Sequence, residues 1–292
     1  MHNQANIITV MIHMEFIMKK VIVLLAAIVL SPISFASSET TVTIAGSTSV
    51  SNVMEVLGET YQKKTGINVE VQGMGSSAGI VAARNGTTLL GMSSRELTID
   101  ELTDVDTTVI AHDGIAIVIN KSNPVDNLTR EEIKKIYRQE ITNWKEVGGE
   151  DKPIIAVTRD VSSGTREEFE KILGLKRIVN DIEVSDISQR TLVGNGNGMV
   201  KTLVANNIYA IAYISLGSVD NGLLVKALSV DGTKATNEHV FSGDYKLARP
   251  FIVLYKRNIA QPALDFVNYI MSDEGQKIIQ EQGYISIEQS HN

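Results

Sequence analysis

Three short turns in this sequence combine serine, threonine and glycine in a pattern that can bind an anion. They lie at residues 46–49, 75–77 and 162–166, and each follows a β-branched run and precedes a helical pattern. Such turns place hydroxyls and unpaired backbone N–H groups at helix N-termini, where negative charge is favoured. One turn of this kind would be an ordinary helix cap. Three of them, with arginines close to two related turns, predict an oxyanion-binding pocket.

The candidate ligands are the hydroxyls, amides and arginines of these turns and of one further strand end. Arg159 ends an apolar run, so its guanidinium could hold two oxygens of a tetrahedral anion beside the bend that Gly164 permits. Ser94 and Arg95 follow another strand, and ligands of open α/β sheets bind at such carboxyl ends. The predicted site comprises Ser47, Thr48, Ser49, Ser76, Ser77, Ser94, Arg95, Arg159, Ser163, Gly164, Thr165 and Arg166.

A purely structural explanation stays open for each of these residues. The serines could cap helices and do nothing more. Arg95 could be a solvated turn residue, and Arg159 could pair with Asp160. Arg166 could pair with Glu170, one helical turn further along.

Composition excludes several classes of protein and of site. The chain has 292 residues, a net charge of −7 and no cysteine. An acidic chain without a basic stripe is a poor nucleic-acid binder. The absence of cysteine excludes disulfides and thiol catalysis, and the five histidines are scattered, so we expect no metal site and no cofactor. The glycine-rich stretch 194–198 lacks the ending of a phosphate-binding loop and is predicted to be a loop before a helix.

The N-terminus has the pattern of a signal peptide. Lys19 and Lys20 precede an apolar run at residues 21–30, and small residues at 34 and 36 suit a signal peptidase. We expect cleavage after Ala36, and Met18 is a more typical start than Met1. The product is then a periplasmic protein, and not a lipoprotein because it has no cysteine for lipid attachment.

After residue 36 the chain alternates strand and helix signals, which favours an α/β fold with largely parallel sheets. We expect two lobes, residues 37–117 with 248–292 and residues 118–247, joined near residues 114–120 and 246–252. The predicted strands are residues 41–45, 67–71, 88–92, 115–119, 154–158, 209–214 and 250–255, and the predicted helices are residues 49–64, 77–84, 165–173, 262–271 and 273–282.

With these residues in view, the chain resembles the phosphate-binding proteins of bacterial ATP-driven phosphate importers. The resemblance covers nearly all of the chain after the signal peptide and rests on residues 45–49, 71–79, 91–95, 159–165 and 211–215. It implies a type II periplasmic-binding fold that holds one dehydrated phosphate between two lobes. It also implies delivery to the transmembrane permease of an ABC-type importer, by a monomer that is not an enzyme.

Carried over by residue, the resemblance implies that Thr48 and Ser49 are first-turn donors and Ser76 a hydroxyl donor. Arg159 with Ser163, Gly164 and Thr165 matches the family's arginine and its donor turn. Ser94 stands where longer members have an aspartate that accepts the phosphate proton and repels sulfate, and Val161 replaces a frequent acidic residue. Discrimination against sulfate is therefore left open.

Three other functions remain to be weighed against phosphate capture. A serine hydrolase or phosphatase has a weak basis, because no Gly-x-Ser-x-Gly elbow is present and no histidine is tied to a candidate nucleophile. The anion could instead be sulfate, molybdate or tungstate. An extracellular role in adhesion or signalling has no adhesive repeat to support it.

Overall fold

The computed structural model of the protein describes residues 41–219 and 224–287. The predicted signal peptide, residues 1–36, lies outside the described residues. Within the described ranges, no helix has both the length and the apolar character needed to span a bilayer.

Strands and helices alternate along most of the chain, as predicted. The strands are β1 (Val42–Gly46), β2 (Val69–Gly73), β3 (Leu90–Ser93), β4 (Val105–Asn120), β5 (Asn127–Leu128), β6 (Ile155–Arg159), β7 (Lys176–Val179), β8 (Ile182–Ser185), β9 (Leu192–Gly194), β10 (Ala210–Ser215), β11 (Val225–Ala227), β12 (Ser229–Val230), β13 (Ala248–Lys256) and β14 (Ile285–Ser286). The α-helices are α1 (Thr48–Thr65), α2 (Ser76–Asn85), α3 (Arg130–Arg138), α4 (Gly164–Leu173), α5 (Gly196–Ala205), α6 (Asn237–Phe241), α7 (Gln261–Ile270) and α8 (Asp273–Glu281), with 3-10 turns at Trp144–Val147 and Leu216–Ser218.

The main sheet has the strand order β2-β1-β3-β13-β4-β10-β6-β9. Its outer pairs are parallel, because helical crossovers connect β1 to β2 and β2 to β3. The pairs β3–β13, β13–β4 and β4–β10 are antiparallel. The predicted two-lobed α/β fold is confirmed, with sheets that are mixed because β13 returns from the end of the chain into the middle of the first lobe.

Strand β4 belongs to both lobes. Its first part pairs with β13 as far as Gly114, which lies opposite Ala248. From Ile115 onward it pairs with β10, beginning opposite Ser215. The exchange of partners thus takes place between two consecutive residues of one uninterrupted strand.

Helix α1 shows how local sequence positions the first turn. Its buried stripe includes Val50, Val53, Leu57 and Tyr61, at the spacing of one helical face. Gly66 adopts φ 76° after the last turn, a left-handed conformation that glycine accepts without strain. Burial of that stripe against the sheet holds the N-terminus of α1 at the carboxyl end of β1.

Several elements differ from the sequence predictions, among them two helices and a hairpin. Helix α3 was not predicted, because its mostly charged sequence buries few apolar residues, although Thr129 and Glu132 form a capping box. The β7–β8 hairpin was also missed. Helix α5 begins at Gly196 and so includes most of the glycine-rich stretch that was predicted to be a loop.

Candidate functional site

The N-termini of α1, α2, α4 and α5 meet at one place between the lobes. The Ser49 and Thr165 hydroxyl oxygens are 3.2 Å apart, which joins α1 to α4. Asn197 Nδ2 donates to Ser49 Oγ at 3.1 Å, which adds α5. A methyl group at Gly164 would lie 2.2 Å from Ser76 Oγ, so α2 and α4 also touch. Residues from four helices therefore form a single polar cluster.

Arg159 is a buried cation in this cluster. It is 1% exposed, and among the described residues no Asp or Glu lies within ion-pair distance of it. Its Nη1 donates to Asn197 Oδ1 and its Nη2 to Thr48 Oγ1, both at 3.0 Å, while its buried Nε has no hydrogen-bond partner. Burial lowers the pKa of the Arg159 guanidinium, which nevertheless stays charged at neutral pH. A bound anion would supply the missing counter-charge.

Tyr213 on β10 fixes the end of β6 from which Arg159 projects. Its hydroxyl lies 2.6 Å from Thr158 Oγ1 and accepts from the backbone N–H of Arg159 at 3.3 Å. Its ring stacks on Phe169 of α4 with centroids 3.9 Å apart. This stack connects β10, β6 and α4 directly behind the third serine turn.

Ionisation of Tyr213 is expected to lower stability in alkaline solution. Burial raises the pKa of Tyr213 to about 12 from 10.0. The fold therefore favours the neutral phenol, a contribution that is complete below pH 10.0 and is lost as pH rises to about 12. The free energy of unfolding, measured in urea across this range, should fall less steeply in Tyr213→Phe than in the wild type. An identical slope in the two proteins would contradict this assignment.

Arg249 and Asp113 form a buried ion pair close to Arg159. They lie opposite each other on β13 and β4, both side chains are fully buried, and Arg249 Nη2 lies 2.9 Å from Asp113 Oδ2. The Gly217 N–H donates to Asp113 Oδ1 at 3.2 Å. Burial raises the pKa of the Asp113 carboxyl, and the adjacent guanidinium opposes that rise.

Sequence reasoning missed Arg249, Asp113 and Asn197. The available signal was a charge within an apolar run: Asp113 precedes the buried stretch 115–119, and Arg249 precedes the stretch 251–254. Asn197 had no signal beyond its glycine neighbours. Its role appears only when α5 places it beside Arg159 and Ser49.

Most of the predicted site residues are brought together. Ser76 and Ser94 are both buried, and the Ser94 N–H donates to Ser76 Oγ at 3.1 Å. Two others act as helix caps: Ser47 Oγ accepts from the Ser49 N–H and Ser163 Oγ from the Arg166 N–H, each at 3.2 Å. The predicted residues in or directly at the cluster are Ser47, Thr48, Ser49, Ser76, Ser94, Arg159, Ser163, Gly164 and Thr165.

The guanidinium groups of Arg95 and Arg166 bond outside the cluster. Arg95 pairs with Glu101 at 2.7 Å and with Glu167 at 2.6 Å, and donates to Ser77 Oγ at 3.2 Å. It therefore joins the two lobes at the rim, together with Ser77. Arg166 pairs with Glu170 at 2.8 Å, which is the ion pair given above as the alternative to anion binding. The charges of Arg95 and Arg166 are thus compensated by nearby glutamates, in contrast to the charge of Arg159.

The electrostatics of the cluster favour a small anion. The charges of Arg249 and Asp113 compensate each other, which leaves Arg159 as the uncompensated charge. Four helix N-termini add partial positive charge at contact distance. In the part of the chain that the structure describes, no group of histidine, aspartate and glutamate could hold a metal ion.

Comparison with known proteins agrees with this geometry. The family model of the PBP superfamily domain matches residues 34–274. The phosphate-binding protein PstS of Borreliella burgdorferi is 32% identical over 280 residues, covering 92% of this chain and 99% of that protein. PstS of Bacillus subtilis is 28% identical over 252 residues, covering 84% of this chain and 80% of that protein.

Two solved structures show the same fold. One is a putative phosphate ABC transporter substrate-binding protein with bound phosphate from Clostridium perfringens, 40% identical, with a TM-score of 0.79 over 85% of this chain and 100% of that one. The other is an ABC-type phosphate transport receptor from Vibrio cholerae, 44% identical, with a TM-score of 0.70 over 84% of this chain and 99% of that one. The length of the family match, the sequence identity and the shared fold show that this chain belongs to the PBP superfamily and, within it, to the family of PstS phosphate-binding proteins.

Proposed function

We propose that this protein captures inorganic phosphate between its lobes and delivers it to the permease of an ABC-type importer. The observation that carries the proposal is Arg159, a buried guanidinium whose Nε–H has no acceptor, and whose charge has no carboxylate partner, among the described residues. A buried donor without a partner costs roughly 1–3 kcal/mol, and a bound oxyanion would remove that cost. The names of the relatives identify phosphate as the oxyanion to test first.

Phosphate would be held by charge and by hydrogen-bond donors from both lobes. We assign the hydroxyls of Thr48, Ser76, Ser94 and Thr165 to its oxygens, together with the first-turn N–H groups of α1, α2 and α4. Ser47 and Ser163 contribute by capping, which fixes the direction of those N–H groups. Arg159 supplies the charge, and no residue is assigned a catalytic role.

Closure of the lobes would enclose the anion. We propose lobes of residues 37–117 with 248–292 and residues 118–247. Contacts between them lie around the cluster: Ser162 Oγ donates to Met74 O at 2.7 Å, and the Ser77 N–H donates to Ser162 O at 3.2 Å. Arg95 adds an ion pair with Glu167. A permease that recognises this closed form would receive only loaded protein.

The delivery role requires export, so we propose that residues 1–36 are a cleaved signal peptide and that the product is a periplasmic monomer without a lipid anchor. Mass spectrometry of the protein purified from the periplasm tests this, because cleavage after Ala36 fixes the N-terminal residue. A product that still contains residues 21–30 would contradict it.

Isothermal titration of the phosphate-stripped protein with phosphate, repeated in excess sulfate, tests the function. We expect one phosphate per chain and a dissociation constant that excess sulfate changes little. Binding that sulfate abolishes would reassign the ligand to another tetrahedral oxyanion. Binding of neither anion would refute the proposal, and turnover of a chromogenic phosphate ester would favour a phosphatase.

Gly164→Ala is expected to weaken phosphate binding at least tenfold. The added methyl group would lie 2.2 Å from Ser76 Oγ and 2.8 Å from Ser76 Cβ, so α2 and α4 could no longer approach each other. The matched control is Gly198→Ala, also in the first turn of a helix, where nothing lies within 4 Å of the added methyl group. Titration with phosphate should give wild-type affinity for the control. Wild-type affinity for Gly164→Ala would show that this contact is not needed for binding.

A further inference from the structure

Arg249 touches the phosphate-binding cluster without adding net charge to it. Asp113 accepts from its Nη2 at 2.9 Å and compensates the guanidinium in a fully buried pair. The same guanidinium donates from Nη1 to Thr165 Oγ1 at 2.7 Å and from Nη2 to Ser49 Oγ at 3.1 Å. Arg249 must therefore contribute to the site by orienting the two hydroxyls to which it donates.

Ser49 Oγ accepts two hydrogen bonds. One comes from Arg249 Nη2 and the other from Asn197 Nδ2, each at 3.1 Å. Arg159 fixes the orientation of the Asn197 amide. A guanidinium can only donate, so the amide oxygen Oδ1 must face Arg159 and the amide nitrogen Nδ2 must face Ser49. A hydroxyl has two acceptor lone pairs and one hydrogen. Both lone pairs of Ser49 Oγ are used, so only its hydrogen remains.

This fixes the direction of the bond between Ser49 and Thr165, whose hydroxyl oxygens are 3.2 Å apart. Ser49 cannot accept a third hydrogen bond, so it is the donor and Thr165 the acceptor. Thr165 Oγ1 then accepts from both Ser49 and Arg249, which uses its two lone pairs. Of the lone pairs and hydrogens of these two hydroxyls, only the hydrogen of Thr165 is then left to bond to another group.

We propose that Arg249 and Asn197, acting through Ser49, fix the Thr165 hydroxyl as an obligatory donor to the bound anion. This inference rests on the proposed function. Ser49 is in this view a positioning residue, whose hydroxyl bonds to Thr165 and not to phosphate. Arg249 is likewise a positioning residue, and Asp113 keeps its charge from adding to that of Arg159.

As a consequence, the anion oxygen that lies at Thr165 must accept a hydrogen bond and cannot donate one there. A phosphate hydroxyl could not donate its proton to Thr165, because both lone pairs of Thr165 Oγ1 are already used. The Ser76 and Ser94 hydroxyls, 3.4 Å apart, are not constrained in this way, because Ser76 accepts only one bond from a fixed donor, the Ser94 N–H. The proton of a phosphate would therefore face Ser76 and Ser94.

A double-mutant cycle on phosphate affinity tests the proposal. Thr165→Val should weaken binding at least tenfold, and Ser49→Ala by about fivefold, the effect of one hydrogen bond. In Thr165→Val the additional Ser49→Ala change should alter the dissociation constant less than twofold, because Ser49 acts through Thr165. Thr165→Ser, which keeps the hydroxyl, should stay within about threefold of the wild type.

The matched control is Ser51→Ala, a buried serine of the same helix whose hydroxyl donates to Ser47 O and not to the cluster. It should bind phosphate as the wild type does. Losses that multiply in the double variant would show that Ser49 and Thr165 bind phosphate independently and would overturn the proposal. Absence of phosphate binding by the wild type would instead refute the proposed function.

Arg249→Lys provides a second test that preserves the charge opposite Asp113. One ammonium group cannot span both hydroxyls as the planar guanidinium does. We expect a loss of about fivefold in phosphate affinity that disappears in the Thr165→Val background. A loss of equal size in both backgrounds would overturn the role assigned to Arg249.

Discussion

Arg159→Met is expected to weaken phosphate binding at least tenfold, which is about 1.4 kcal/mol or more. The change removes the uncompensated cation of the cluster and a buried donor that finds no acceptor within residues 41–219 and 224–287. It should also raise the thermal unfolding midpoint of the phosphate-free protein, because a buried charge without a partner is replaced by an apolar chain. Isothermal titration and calorimetry of the same sample give both quantities.

Arg138→Met is the matched control for Arg159→Met. It removes one positive charge from the same lobe, but Arg138 pairs with Asp186 at 2.6 Å and does not reach the cluster. Phosphate affinity should stay at the wild-type value. Equal affinity in Arg159→Met and wild type would remove Arg159 from the binding site. A fall in the unfolding midpoint would show that its bonds to Asn197 and Thr48 outweigh the cost of burying its charge.

Arg249→Met is expected to destabilise the fold by about 3–5 kcal/mol, since it leaves the Asp113 carboxylate buried and unpaired. The double variant Asp113→Asn with Arg249→Met should recover most of this loss. An asparagine at 113 still accepts from the Gly217 N–H, and no buried charge remains. Urea unfolding of the wild type, the single variant and the double variant measures the difference.

Recovery of stability in the double variant need not restore phosphate binding. The double variant lacks the guanidinium that bonds to Ser49 and Thr165, so its phosphate affinity should remain below that of the wild type. A double variant as unstable as Arg249→Met would show that the loss comes from packing at position 249 and not from the unpaired carboxylate.

The serine turns were predictable because their signals are local. Ser47 and Ser163 cap helices whose buried faces repeat at helical spacing, so the sequence alone places the hydroxyls of Thr48, Ser49 and Thr165 at helix starts. Arg159 follows directly from the apolar strand before it. Within each lobe the parallel strands end at one edge of their sheet, and residues from these two edges meet at the cluster.

The Arg249–Asp113 pair was not predictable in this way. The two residues are separated by 136 positions, and only the register of β13 against β4 places them opposite each other. Arg166 was predicted as an anion ligand, with pairing to Glu170 left open as the alternative. Glu170, four residues further along the same helix, is its partner in the structure. Local spacing therefore predicted the caps and the alternative partner of Arg166, whereas only tertiary register brings Arg249 and Asp113 together.

The continuity of β4 across both lobes also constrains how phosphate can enter and leave. Because the hydrogen bonds to β13 and to β10 belong to consecutive residues of one strand, the lobes cannot pivot on a slack linker there. Leu216 and Val240 pack closely around Gly114, so little space is left for a local bend. We therefore expect any opening of the lobes to be spread over several residues of β4 as a change in sheet twist, and not to be concentrated at one hinge residue.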